Sequence, residues 1–203
     1  NHKRVQRLMQ QMGLQALYPR PRTSIPTIGN RPYPYLLEGL IIYHANQVWA
    51  VDITYIKLGV GMVYLFALID WWSRFIVGWK LAHTMETEHA LEALEDALSY
   101  GIPQICNADQ GSQFTGQQWV NALLANNIQI SHDSKGRYLD NIRIERFWRS
   151  IKYEDVFLKS YTSLAEARHG IGLYINHYNY HRPHQALDYK CPADLFLKHI
   201  DYA

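Results

Sequence analysis

Apolar residues run in short blocks through the middle of the chain and then change to a helical spacing. QVWAVDITYIKL (47–58) is one β-branched and aromatic block, MVYLFALID (62–70) a second and FIVGWKLA (75–82) a third. Gly59 and Gly61 mark a turn between the first two, and WSRF makes a tight connection to the third. Three runs with short joins predict an antiparallel meander, and apolar residues on both faces predict a sheet covered on both sides. From residue 86 the period lengthens: Ala90, Leu91, Leu94, Ala97 and Leu98 share one face of a helix, acids take the other, and Gly101 ends it. IPQICNAD predicts a short strand running into a loop. Thr115 is the expected cap of a helix that turns Trp119, Val120, Leu123 and Leu124 inward, and NIQIS is the last strand. A polar stretch over 132–139 precedes a helix opening at Asp140 or Asn141 and running to about Tyr153. Ser163 and Glu166 have capping-box spacing ahead of Leu164, Ala167, Ile171, Ile175 and Tyr178. This order predicts an α/β fold, a mixed five-stranded sheet with helices on both faces.

The first part of the chain reads differently. Val5, Leu8, Met9 and Met12 give residues 2–13 a helical stripe that stops at Gly13. Pro19, Pro21, Pro26, Pro32 and Pro34 then impose an extended backbone on a stretch that also carries Arg20, Arg22 and Arg31. The organisation expected is a helical fragment over 1–17, a basic Pro-rich linker over 18–45, a globular core over 46–160 and a C-terminal helical extension over 161–203.

Composition narrows the class without naming it. No run of about 18 apolar residues is present, so no membrane span is expected. NHKRVQRLMQ has neither the apolar core nor the cleavage site of a signal peptide. The starting Met is also missing, which reads as a fragment or processed product. Cys106 and Cys191 are too few for a disulfide framework and read as reduced thiols in the cytoplasm. The net charge is only +2, but it is segregated. Six cations precede the first acid, Glu38, and a second basic cluster gathers Lys135, Arg137, Arg143, Arg146, Arg149 and Lys152. A phosphate-binding face needs such segregation; ordinary solvated faces explain it as well.

Three acids carry the candidate chemistry. Asp52 interrupts the strand VWAVDITYI, where an Asp is disfavoured and costly to bury without partners. It shares a face with Ala50 and Thr54. Asp109 follows the strand IPQICN, at the carboxyl end where open α/β sheets place ligands. Glu145 shares a helix face with Arg149 and Lys152, opposite the packing residues Ile144, Phe147, Trp148 and Ile151. Carboxylates on rigid elements suit a hard cation such as Mg²⁺. Each also has a structural reading: a hydrogen-bonded buried Asp, a turn residue, and half of a Glu145–Arg149 pair.

Taken together, WAVDITYI, IDWWSRFIVGW, NADQGSQF, SKGRYLDNIRIERFWRSIKYE and INHYNYHRPHQALDYKCPADLF resemble the OrfB-type transposases of the third insertion-sequence family. These belong to the retroviral-integrase-like DDE recombinases. The 35 residues between Asp109 and Glu145 (145 − 109 − 1) agree with the separation typical of the group. The resemblance implies an RNase H-like catalytic core with Asp52, Asp109 and Glu145 as the catalytic triad. They would hold two Mg²⁺ or Mn²⁺ ions, with Asp52 bridging. It further implies DNA cleavage at the ends of an insertion sequence and joining to a target, by a homo-oligomer working at the bacterial nucleoid. NHKRVQRLMQQMGL resembles the last part of the family's helix-turn-helix region. Lys135, Arg137, Arg143, Arg149 and Lys152 become candidates for DNA-phosphate contact. Asn107 stands where the family commonly has His, Ala108 where it has Ser, and Ile142 where a small residue is common. Those departures motivate a second reading, a catalytically impaired DNA-binding remnant. An RNase H-like nuclease with another nucleic-acid substrate is a third. Asp70 reads as a turn residue with an Asp70–Arg74 contact. His177, His181, His184 and Cys191 lack the partner motif of a zinc site, and Arg182 with His184 reads as fixing the C-terminal loop or touching DNA.

Overall fold

A computed structural model describes residues 1–14, 33–59, 61–133 and 142–200. The chain divides into two compact units, Asn1–Arg31 and Pro32–Ala203. In the first, α1 (His2–Gln11) is capped by Asn1, whose side-chain oxygen accepts the Lys3 N–H at 3.2 Å. Its apolar stripe is exposed at Val5, Leu8 and Met12. Residues 15–32, most of the expected linker, lie outside the described residues.

The second unit is built on β1 (Val48–Leu58), β2 (Gly61–Asp70), β3 (Ile76–Ala82), β4 (Ile105–Ala108) and β5 (Gln129–His132), in the order β3-β2-β1-β4-β5. The three long strands form the expected antiparallel meander, while β4 and β5 run parallel to β1. Helix α2 (Thr87–Leu98) follows the meander, and α3 (Ser112–Thr115) and α4 (Gln117–Ala125) join β4 to β5. After β5 come α5 (Ile142–Ile151), a π turn (Lys152–Val156), α6 (Phe157–Lys159), α7 (Leu164–Tyr180) and α8 (Pro192–Ile200).

Alternation along β1 divides the core in two. Val48, Ala50 and Ile56 meet Phe147 and Ile151 of α5 and Ile171 and Tyr178 of α7. Trp49 and Val51 face Ala93 and Ala97 of α2, Trp119 of α4 and Phe196 of α8. The sheet is therefore covered on both sides. No helix among the described residues is long and apolar enough to cross a membrane.

Several local details differ from the sequence pattern. Thr115 does not cap α4; it closes α3, donating its hydroxyl to the Gly111 carbonyl at 3.1 Å, and Gly116 takes the cap position. Ser163 Oγ accepts the Glu166 N–H at 3.2 Å, but the Glu166 carboxylate returns to Thr162, one residue earlier than a capping box requires. Within the stretch read as linker, residues 33–36 lie along β5. Tyr33 N–H donates to His132 Nδ1 and Leu36 N–H to Ser131 Oγ, and Leu37 is buried. Nor do residues after 160 stand apart: α7 shares the core of α5. There Asn179 accepts from the Ile76 N–H at 2.9 Å and donates to the Ile76 carbonyl at 3.0 Å, satisfying the outer edge of β3.

Asp70 is a turn residue, as its sequence context indicates, although its carboxylate does not reach the Arg74 side chain. It is fully buried and accepts from Ser73 N–H, Ser73 Oγ and Asn46 N–H, while its backbone carbonyl accepts the Arg74 N–H. Burial pushes its pKa up, and those donors pull it back. Asp70→Ala leaves three donors without acceptors and is expected to cost about 2 kcal/mol, read as a shift in urea midpoint with unchanged slope.

Candidate active site between β1, β4 and α5

The parallel ladder of β1 and β4 brings the first two acids together. Val48 lies opposite Ile105 and Ala50 opposite Asn107, a constant offset of 57 (105 − 48 = 107 − 50). The ladder ends there, two residues short of both acids, so the parallel pairing brings Asp109 out beside the strand that carries Asp52. The long β1 continues under Asp52, while β4 ends at Ala108 and releases Asp109 into an exposed turn. One Asp109 oxygen accepts the Gly111 N–H at 2.8 Å. Beside it Asn107 is buried and donates to Asp133 at 2.8 Å, while its own side-chain oxygen has no partner.

Helix α5 supplies the third acid. Its buried face (Ile144, Phe147, Trp148 and Ile151) seats it on the β1 side of the sheet, and Glu145 stays exposed. No cation pairs with Glu145 among the described residues. The structural reading of a Glu145–Arg149 pair is not realised; Arg149 lies over the Tyr153 ring at 5.9 Å.

Electrostatics tie the three together. Asp52 is pushed up to about 6, first by burial; the negative charges of Asp109 and Glu145 push in the same direction. Two hydrogen bonds oppose them, from Trp148 Nε1 and from the Ile53 N–H, each 2.8 Å from an Asp52 oxygen. The sequence pattern placed Trp148 on the packing face and gave no sign that its indole N–H holds the central carboxylate. Lys152, the first residue of the π turn, sits over the Tyr55 ring at 4.9 Å; burial lowers its pKa and the Asp52 charge raises it. Arg143 stacks on Trp71 at 4.7 Å. Lys135 and Arg137, and the expected cap residues Asp140 and Asn141, lie outside the described residues.

Among the described residues no three His, Cys, Asp or Glu side chains converge closely enough to hold one metal ion, at the acids or at His177, His181 and His184. Like charges repel, and the oxygens of Asp52 and one of Asp109 rest on protein donors. The donor set nonetheless fits a hard divalent cation: three carboxylates, with Asp109 and Glu145 exposed and their charges disfavouring ionisation of Asp52. Arg182 is held in place, both its Nε and Nη2 donating to Glu154 at 2.8 and 2.6 Å. His184 bridges to Lys190 through the backbone. Both therefore fix the C-terminal loop.

A five-stranded mixed sheet flanked by helices, with acids on its central strand, beyond the next strand and on the helix across them, defines an integrase-type catalytic core. Residues 43–138 match one family described as Integrase core domain, and residues 126–192 match a second of the same description. The HTLV-2 integrase catalytic core domain in complex with magnesium (trimeric form) superposes with a TM-score of 0.63 at 18% identity, covering 75% of this chain and 97% of that one. The transposase for insertion sequence element IS904 of Lactococcus lactis subsp. lactis is 35% identical, over 96% of this chain and 79% of its own length. Transposase InsF for insertion sequence IS3A of Escherichia coli is 34% identical, over 68% of this chain and 50% of its own. The chain belongs to the integrase-core transposases of the third insertion-sequence family.

Proposed function

We propose that the chain cleaves DNA at the ends of an insertion sequence and joins the freed 3′-hydroxyl to a second DNA, with Asp52, Asp109 and Glu145 holding two Mg²⁺ or Mn²⁺ ions. The observation that supports this reading is the placement of the three acids, remote in sequence, on central strand β1, just past its parallel neighbour β4 and on helix α5, which packs on the β1 side of the sheet. The ions would supply Lewis acidity, activating the attacking oxygen and stabilising the leaving one. In each step an oxygen of water or of a DNA 3′-end forms a new bond to phosphorus. The bond from that phosphorus to its bridging O3′ breaks, and the leaving O3′ takes up a proton.

The protein's own groups position these reactants. Trp148 and the Ile53 amide fix both oxygens of Asp52, which keeps the bridging candidate still on the stiffest strand. Lys152, and with it Arg143 and Arg149, carries positive charge along α5 to the phosphates flanking the scissile one, with Lys135 and Arg137 preceding them in the chain. The substrates are the element's ends and a target DNA, handled by a homo-oligomer at the bacterial nucleoid.

The test is strand transfer by the full chain on a pre-cleaved element end with Mg²⁺ or Mn²⁺. Joined product is the expected result. Cleavage of RNA–DNA hybrid without DNA joining would replace the reading with a nuclease. DNA binding with neither activity would identify a remnant.

A further inference from the structure

Helix α5 presents two polar faces. Glu145, Arg149 and Lys152 line the first; Arg143, Arg146 and Ser150 lie about a third of a turn away. The second face, together with Arg149 from the edge of the first, opens onto a cavity of about 220 Å³ that is also lined by Arg74, Tyr178, Arg182 and His184. A wider groove of about 720 Å³ shares Arg74, Arg146, Arg182 and His184 with it. No carboxylate lines either space. Arg182 is neutralised by Glu154 from outside the cavity, but among the described residues no acid pairs with Arg74 or Arg146.

This concentration of charge is costly as it stands. Arg74 is half-buried at the end of the Asp70 turn, with a backbone φ of 66°, and the charge of Arg146 acts on it unfavourably. His184, 7% exposed, is forced down to about 4 by burial and by Arg182 and Arg74, and its Nε2 has no hydrogen-bond partner. An anion between these groups would offset the repulsion and accept bidentate hydrogen bonds from guanidiniums. The smaller space is below the usual range for a drug-sized ligand, which suits a single phosphate rather than a whole nucleotide.

Resting on the reading of this chain as a DNA strand-joining enzyme, we infer that Arg74 and Arg146, framed by Arg182, form a second phosphate seat that grips the DNA backbone on the face of α5 next to the one that carries Glu145. Glu145 and Arg146 are consecutive, so their side chains leave the helix about 100° apart. The seat then holds a phosphate other than the reacting one. The seat fixes the direction in which the strand leaves the acids. It is a positioning device that makes no contact with the reacting atoms.

The experiment measures binding of a duplex element end to the full chain across a salt series, for Arg146→Gln and for the Arg74→Gln/Arg146→Gln pair. Loss of a phosphate contact should make the slope of log K against log salt shallower by about 0.9 per phosphate. Arg146 is exposed, so the single variant keeps the test clear of any folding defect at the Arg74 turn. Arg146→Lys should keep the slope, as a point charge does, while strand joining falls because the bidentate grip is lost. An unchanged slope in Arg146→Gln would overturn the inference. So would inorganic phosphate raising the Tm of the wild type but not of Arg146→Gln, with the DNA slope unmoved, since the seat would then serve a free anion. A shallower slope with no strand joining by the wild type would sink the proposed function and leave the seat standing.

Discussion

Asp52→Asn is expected to lower strand joining at least about 1,000-fold, because a ligand shared by two ions supports several kcal/mol of charge stabilisation and each 1.36 kcal/mol is tenfold in rate. The fold should survive. Asn keeps the shape of the side chain and one acceptor for Trp148 Nε1 or the Ile53 amide. It also removes a charge that folding disfavours. Asp52 titrates at about 6 in the protein against 3.8 for the free side chain, so its contribution is most favourable below about 4 and declines as pH rises to about 6. Relative to the wild type, the variant should therefore gain Tm above pH 6 and lose that advantage below pH 4. Mg²⁺ should raise the Tm of the wild type and leave the variant unmoved, which reads the site without reference to turnover. Joining within tenfold of wild type would remove Asp52 from the site. Asp109→Asn and Glu145→Gln should behave alike in joining.

Gly78→Ala should cost about 3 kcal/mol or more, a large share of the stability of a domain this size. Gly78 lies on β3 where α2 crosses closest to the sheet. A methyl there would overlap the Ala93 carbonyl oxygen and come within 2.8 Å of Ala97 Cβ. One of those atoms is backbone in the middle of α2, so no rotamer change relieves the overlap. Helix α2 would have to lift from the sheet and with it the layer made by Ala90, Ala93, Leu94 and Ala97. The expected readout is a fall in urea midpoint or loss of soluble protein, and a native midpoint would show that the helix yields freely.

The strands and helices were largely legible because each carries a period that its own residues set. β1, β2 and β3 were visible as apolar blocks, and α2 and α7 as stripes with acids or caps at their ends. Legibility failed where the deciding partner was distant. Nothing in YPYLL foretold that Ser131 and His132 would take its backbone N–H groups and draw it along β5. Thr115 looked like a cap because the sequence does not show the Gly111 carbonyl that occupies its hydroxyl. Asp52, Asp109 and Glu145 could be picked out as misplaced or well-placed acids and by family resemblance. Trp148 as the donor that steadies Asp52 could not.

On its own the sequence determined which segments pair and pack, since alternation and 3.6-residue spacing are local properties. It also selected three acids from eighteen Asp and Glu residues. Only the tertiary structure decided which of them share an electrostatic field, through the parallel pairing of β4 with β1 and the seating of α5 on the β1 side of the sheet. It also decided that Arg74, Arg146 and Arg182, spread over more than a hundred residues, surround one cavity without an acid. Charges interact through space and not along the chain, so an order of residues cannot state their energy until the fold has set the distances.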